Sequence, residues 1–347
     1  MKLKRWMPWA VMAVAALALA LVTGASAGKA KPTSTHTKAA ALKVGLVTDI
    51  GGLNDRGFNH LAYVGLQTAQ AKLGVEGQVA ESKSAADYIP NLSNFAQQGY
   101  GLVVAVGFLM ADAVDAVATK FPNTKFAIID YDASTLKDKP ANVQGILFKE
   151  QESGYLAGYL SGLMIDAKHL KKVAGTVGGI KIPPVDRYIA GFIAGLHKAD
   201  PKIKELNGYS QDFVDQAKCK EVALKQIAQG SQVVFQVAGG CGLGALDAAK
   251  QKKVWGIGVD NDQSFLGAHI LTSAIKKVDT GVYLTIQAVA KNSGFKGGGN
   301  AVFGVKEGGS GISKISAKVP KAIVKQVLAI QTQIKAGKIK NIPTTVK

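Results

Sequence analysis

Cysteine is nearly absent from this chain: Cys219 and Cys241 are the only two in 347 residues. Two thiolates make a poor zinc cage, and no histidine stands at ligand spacing from either. The pair is therefore read as a disulfide in an exported chain, not as a metal site. The five histidines (His36, His60, His169, His197, His269) are scattered, again without metal-binding spacing. Motifs of cofactor and hydrolase chemistry are also missing. There is no G-x-x-x-x-G-K-[ST], no H-E-x-x-H and no G-x-S-x-G, and Gly240-Cys241-Gly242-Leu243-Gly244 lacks the spacing of a dinucleotide loop. No catalytic residue, metal or cofactor is assigned. Aromatic residues make up 7% of the chain, too few to interleave with its lysines as a nucleic-acid surface requires, so nucleic acid is not expected as a partner.

Acidic residues are scarce as well, 24 against 42 lysines and arginines, for a formal charge of +18. The lysines spread over many helix faces. One segment is one-sided: Lys314 to Lys347 carries eight lysines and no acid, which fits either a solvated helix face or contact with an anionic envelope surface. A long apolar run occurs only near the start. Lys2, Lys4 and Arg5 precede the run Ala10 to Val22, and Ala25-Ser26-Ala27 follows it, the three parts of a secretory signal. The run is shorter than the roughly 20 residues of a spanning helix, so residues 1–27 are expected to be a cleaved signal peptide, with a retained anchor as the alternative. Residues 28–41 have no apolar period and read as a disordered lead-in. The remainder suits two domains of roughly 150 residues each.

From Leu42 onward, short β-branched runs alternate with amphipathic stretches. Strands are predicted at Lys43 to Thr48, Leu102 to Val106, Phe126 to Asp130, Val143 to Phe148, Lys172 to Val177, Gln232 to Val237 and Val254 to Asp260. Helices are predicted at Phe58 to Lys72, Ile89 to Gln98, Ala111 to Lys120, Glu150 to Ile165, Val185 to Lys198, Asp215 to Gln229, Leu243 to Gln251 and about Pro320 to Ala336. This alternation implies an α/β protein with doubly wound parallel sheets. No Pro/Gly/Ser linker divides the chain, so two lobes with chain crossings are expected. The crossings are placed near Phe148, Asp260 and Asn292, giving one lobe of residues 42–148 plus about 263–292 and a second of 149–262 plus about 293–347.

Ligands of open α/β sheets bind beyond the carboxyl ends of the strands. Glycines and polar groups collect there: Asp49, Gly51, Gly52, Asn54, Asp55, Phe58 and Asn59 after the first strand, then Gly107-Phe108, Asp130-Tyr131-Asp132, Gly178-Gly179, Gly239-Gly240 and Asp260-Asn261-Asp262-Gln263. The pattern predicts a cleft walled by both lobes.

The runs Asp49-Ile50-Gly51-Gly52-Leu53-Asn54-Asp55-Arg56-Gly57-Phe58-Asn59 and Phe148-Lys149-Glu150-Gln151-Glu152-Ser153-Gly154-Tyr155-Leu156-Ala157-Gly158 resemble the basic membrane protein family of ABC-transporter substrate-binding proteins. Gly191-Phe192-Ile193-Ala194-Gly195, Gly258 to Gln263 and Leu271 to Asp279 extend the resemblance, in order, over nearly the whole chain. It implies a type I periplasmic-binding-protein fold and a purine nucleoside (adenosine, guanosine or inosine) delivered by a monomer to membrane permease subunits. By the same resemblance Phe58 and Phe213 are aromatic walls for the base, Asp49, Asn59 and Asp130 read its edge, Asp260 takes the ribose hydroxyls, and Lys276 stands beside it. Phe108 joins them as a rim residue. Structural readings stand beside these: core for Phe58 and Phe213, N-cap or turn for Asp49, hinge or turn for Asp130, helix surface for Asn59. Three departures stand out. No lipobox cysteine lies near Ala27, which points to a periplasmic or secreted form. Cys219 and Cys241 replace a common glycine and a common threonine or serine, consistent with a disulfide on one lobe's rim. Gly57 replaces a common serine. A surface adhesin or sensor with a basic face is the alternative function, and a nucleoside hydrolase a further one.

Overall fold

The run Leu102-Val103-Val104-Ala105-Val106 is buried at every position, the condition of a strand covered on both faces. It is one of many. The computed structural model describes residues 41–346; the signal segment and all but the last residue of the lead-in lie outside the described residues. Along the chain run β1 (Lys43–Thr48), α1 (Phe58–Leu73), β2 (Glu76–Glu81), α2 (Tyr88–Gln97), β3 (Leu102–Val106), α3 (Ala111–Lys120), β4 (Lys125–Ile129) and β5 (Val143–Phe148). Next come α4 (Glu150–Ala167), β6 (Val173–Gly178), α5 (Pro183–Ala199), β7 (Lys204–Tyr209), α6 (Gln216–Ala228), β8 (Val233–Val237), α7 (Gly242–Gln251) and β9 (Trp255–Asp260). The chain ends with β10 (Ile270–Lys276), α8 (Val278–Ala290), β11 (Gly299–Phe303), β12 (Ser310–Ile312) and α9 (Lys321–Lys335).

The strands form two six-stranded sheets, ordered β11-β5-β4-β3-β1-β2 and β12-β10-β9-β8-β6-β7. The first is parallel throughout. In the second only β12 runs antiparallel, against β10. Helices cover both, as the alternation predicts. The sequence-based lists lack β2 and β7, edge strands that are partly exposed and without an apolar run, and also β10, α8, β11 and β12.

Two of the three expected crossings are misplaced. The chain does pass between sheets after Phe148, but it does not return near Asp260: β10 pairs with β9, so the second sheet continues to Lys276. The return falls at Lys277, after which Val278, Val282 and Ile286 of α8 bury in the first lobe's core. The last crossing follows Phe303 rather than Asn292, because β11 pairs in parallel with β5. The lobe assignments of residues 263–276 and of β11 are thereby exchanged. Three apolar residues at helical spacing hold α8 to the first core. Five short pairings along β5 hold β11, whose sequence Gly-Asn-Ala-Val-Phe carries little strand signal.

Beside the first crossing, α4 and α5 pack backbone to backbone. A methyl at Gly154 would collide with Tyr188 O and one at Gly158 with Phe192 O, while Gly191 and Gly195 press on Gln151 O and Tyr155 O. Glycine is required here for its lack of a side chain. We expect Gly158→Ala to force the helices apart and lower stability by about 1 to 3 kcal/mol, read as a shifted midpoint with unchanged slope in urea denaturation.

Candidate functional site

The carboxyl ends of both sheets open onto one cavity, with about 660 Å³ of space not filled by protein, its mouth included. The first lobe contributes Asp49 after β1, Phe58 and Asn59 at the start of α1, Phe108 after β3 and Asp130 after β4. The second contributes Phe213 from the loop before α6, Asp260 at the end of β9 and Lys276 at the end of β10. All eight residues singled out in the sequence thus line the same space.

Two of them hold unusual backbone conformations. Asp130 has φ 72° and Asp260 φ 62°, the left-handed region that non-glycine residues avoid and that clusters at functional sites. Each turns the chain sharply out of its strand, leaving a carboxylate at the rim.

The start of α1 is organised by Asp55. Its carboxylate accepts from the backbone N–H groups of Gly57 at 2.9 Å, Asn59 at 2.7 Å and His60 at 3.1 Å, filling the orphan donors of the helix. The Asn59 amide donates to Asp49 Oδ1 at 2.7 Å and to Asp55 Oδ2 at 3.3 Å. Two carboxylate acceptors fix the orientation of that amide. Its carbonyl oxygen, Asn59 Oδ1, is then left buried and unpartnered, as is Asp130 Oδ1.

A buried ion network crosses between the lobes. Lys276 Nζ lies 2.6 Å from Asp130 Oδ2 and 3.0 Å from Glu150 Oε1, and Arg187 Nε lies 2.6 Å from Glu150 Oε2. The ammonium also sits 5.1 Å from the centre of the Phe58 ring and 5.2 Å from that of Phe148, within cation–π range. Burial alone would lower the Lys276 pKa, but Asp130, Glu150 and Asp260 together hold it above its ordinary value. Burial pushes Asp260 up to about 7 against the pull of Lys276, and Asp49 up to about 6 against its hydrogen bonds from Asn59 and Gly51. Asp130 is raised by burial too, with Lys276 drawing it back. Tyr188 donates its hydroxyl to Asp260 Oδ1 at 3.1 Å.

Several of these residues received no role from the sequence. Tyr188 sits inside α5 and reads as a core aromatic; only the Ile182-Pro183-Pro184 start of that helix, directly after a strand, marks the segment as rim. Glu150 and Arg187 are 37 positions apart and meet only in the fold. Among the described residues no cluster of three or more His, Cys, Asp or Glu could hold a metal, and no helix is long and apolar enough to cross a membrane. Cys219 and Cys241 form a disulfide. The cavity presents buried carboxylates, one ammonium and phenylalanine rings from both lobes.

A family model described as ABC transporter substrate-binding protein PnrA-like matches residues 42–344. An ABC transporter nucleoside-binding protein, BmpA, of Lactococcus lactis subsp. cremoris is 35% identical, over 95% of this chain and 97% of its own. An uncharacterized lipoprotein of Pyrococcus furiosus is 33% identical, over 80% of this chain and 71% of its own. Among solved structures, an ABC transporter solute-binding protein of Aeropyrum pernix K1 superposes with a TM-score of 0.77 at 26% identity, covering 87% of this chain and 94% of that one.

Glu150→Ala leaves Lys276 and Arg187 without their shared counter-charge, and breaking a buried pair costs about 3 to 5 kcal/mol. The expected result is a loss of that size in chemical denaturation, with Glu150→Gln recovering part of it.

Proposed function

The chain belongs to the family of PnrA-like ABC-transporter substrate-binding proteins, and from that premise we propose that it captures a purine nucleoside outside the cytoplasm and presents it to membrane permease subunits. Proteins of this family bind and deliver solutes; they are exported and are not enzymes. The observation that carries the nucleoside reading is the set of walls of this cavity: Phe58 from one lobe, Phe213 from the other, and Asp260 at the rim. Base–aromatic stacking contributes about 1 to 3 kcal/mol per base. Asp260 accepts from two vicinal hydroxyls and so favours ribose over deoxyribose.

The base edge meets acceptors. Asn59 Oδ1 and Asp130 Oδ1 are buried without partners, and Asp49 offers a carboxylate beside them. Leaving such groups unpaired costs about 1 to 3 kcal/mol each, which favours bases rich in N–H donors. Guanosine, with donors at N1 and N2, is thus the preferred ligand. Both walls come from one chain, so a monomer suffices. Binding acts by hinge closure at the three crossings, because a ligand touching both lobes shifts the population toward the closed form.

Titration with guanosine, inosine, adenosine and cytidine is the direct test, read by thermal shift and calorimetry. Saturating guanosine should raise the melting temperature and cytidine should not; no shift with any purine nucleoside sinks the assignment. Asp260→Ala should weaken guanosine by about tenfold or more, in line with about 1 to 3 kcal/mol for a lost buried partner, and should abolish the preference for guanosine over 2′-deoxyguanosine.

The pH dependence follows from the raised carboxyls. At Asp260, about 7, and Asp49, about 6, the folded protein keeps protons that the unfolded chain has already released, so both groups lower stability as pH rises from about 4 to 7. Hydroxyls donating to Asp260 favour its charged form. Guanosine should therefore bind more tightly as pH rises through about 7, releasing a proton, and Asp260→Asn should flatten the profile.

A further inference from the structure

Phe213 is the one wall residue that no strand or helix holds directly. It lies in the loop between β7 and α6, half-buried, its ring over Gly179 where a methyl would collide with it. Both flanks of the loop are nonetheless fastened. On the α6 side, Asp212 Oδ1 accepts from the backbone of Val214 at 2.7 Å and Asp215 at 2.9 Å, Asp215 caps Ala217 at 2.9 Å, and Lys218 pairs with Asp212 at 2.7 Å. On the other side, Phe213 O accepts from the backbone N–H of Cys241 at 2.9 Å. That N–H belongs to the segment Ala238–Cys241, of which Ala238, Gly239 and Gly240 line the cavity beside Phe213.

These two supports belong to different elements, α6 and the start of α7, and one covalent link joins them. Cys219 lies in the first turn of α6 and Cys241 immediately before α7; their Cα atoms are 5.6 Å apart and both side chains are fully buried. Ser210, at the start of the same loop, places its Oγ 3.3 Å from Cys219 Sγ and 3.5 Å from Cys241 Sγ. A short path therefore closes on itself: Phe213 to α6, through the disulfide to Cys241, and back by hydrogen bond to Phe213.

We propose that the Cys219–Cys241 disulfide positions the second lobe's aromatic wall, holding Phe213 and the Ala238–Gly240 segment at a fixed separation before ligand arrives. This rests on the reading of Phe213 as a stacking wall. A loop fixed in its bound conformation does not have to be ordered on binding, and that saving appears as affinity. Without the link, the loop's own hydrogen bond to this segment is that of Phe213 O, net about 1 kcal/mol, while α6 and α7 stay joined by Lys220–Asp247 and a shared buried cluster that do not hold Phe213 itself. The cysteines are thus positioning residues whose effect on binding passes through Phe213.

A double-mutant cycle in the full protein tests this, with guanosine as the probe. Cys219→Ser/Cys241→Ser should raise the guanosine Kd by about five- to tenfold, the affinity lost when a preorganised loop must be ordered on binding. In a Phe213→Ala background the same pair of changes should alter Kd by less than about twofold, since coupled residues give non-additive effects. A role confined to fold stability would lower the melting temperature equally in both backgrounds and leave Kd unchanged. Unchanged Kd, or the same loss in both backgrounds, overturns the proposal. Should the double serine variant fail to fold, oxidised wild type and wild type reduced under native conditions, verified by intact mass, make the same comparison with and without Phe213→Ala. If guanosine binds but Phe213→Ala has no effect, the wall reading itself fails and this proposal with it. If guanosine binds and Phe213→Ala weakens it while opening the disulfide does not, only the positioning role fails.

Discussion

The ammonium of Lys276 is the charge on which the cavity depends. It is almost wholly buried, touches Asp130 from the first lobe and Glu150 from the first crossing, and stands close enough to Asp260 to feel its charge. Carboxylates gathered this closely in a low-dielectric space repel one another and resist ionisation. One cation among them makes the arrangement tolerable, and Arg187 supplies a second from behind Glu150. Because Lys276 ends β10 at a crossing between the lobes, the contact that stabilises the site also ties the second lobe to the first.

The electrostatic balance bears on the ligand as well as the fold. Burial raises the pKa values of Asp49, Asp130 and Asp260, so each charge already lacks the solvation that water would give it. An anionic ligand would deepen that deficit, whereas a neutral one bearing hydroxyl and N–H donors would relieve it. The basic residues that dominate the composition lie elsewhere, and the net charge of the chain is a poor guide to the cavity.

Close packing sets the frame around this chemistry. The glycines of α4 and α5 let two helices meet backbone to backbone directly behind the crossing, bringing Glu150 at the start of one within reach of Arg187 on the other. Larger residues there would separate the helices and pull the ion network apart. Glycines quoted in the sequence for their resemblance to a family thus have a mechanical reason to be there.

Much of this was legible in the sequence. Alternating apolar runs and amphipathic stretches determined two parallel α/β sheets, because periodicity reports which faces are covered. Polar residues and glycines after each strand located the cleft, since parallel topology sends every strand's carboxyl end to one edge; Asp49, Phe58, Asn59, Phe108, Asp130 and Asp260, found that way, line one cavity, and so do Phe213 and Lys276, which only the family resemblance singled out. The two cysteines found each other. Only the tertiary structure decided which sheet β10 and β11 join, because strand pairing depends on a neighbour distant in sequence and neither segment advertises its partner. The same holds for Glu150, Arg187 and Tyr188, whose roles arise from contacts 37 to 126 positions apart. A sequence records which side chains need burial or a partner; the fold alone brings the partner near enough for Coulomb attraction and hydrogen bonding to act.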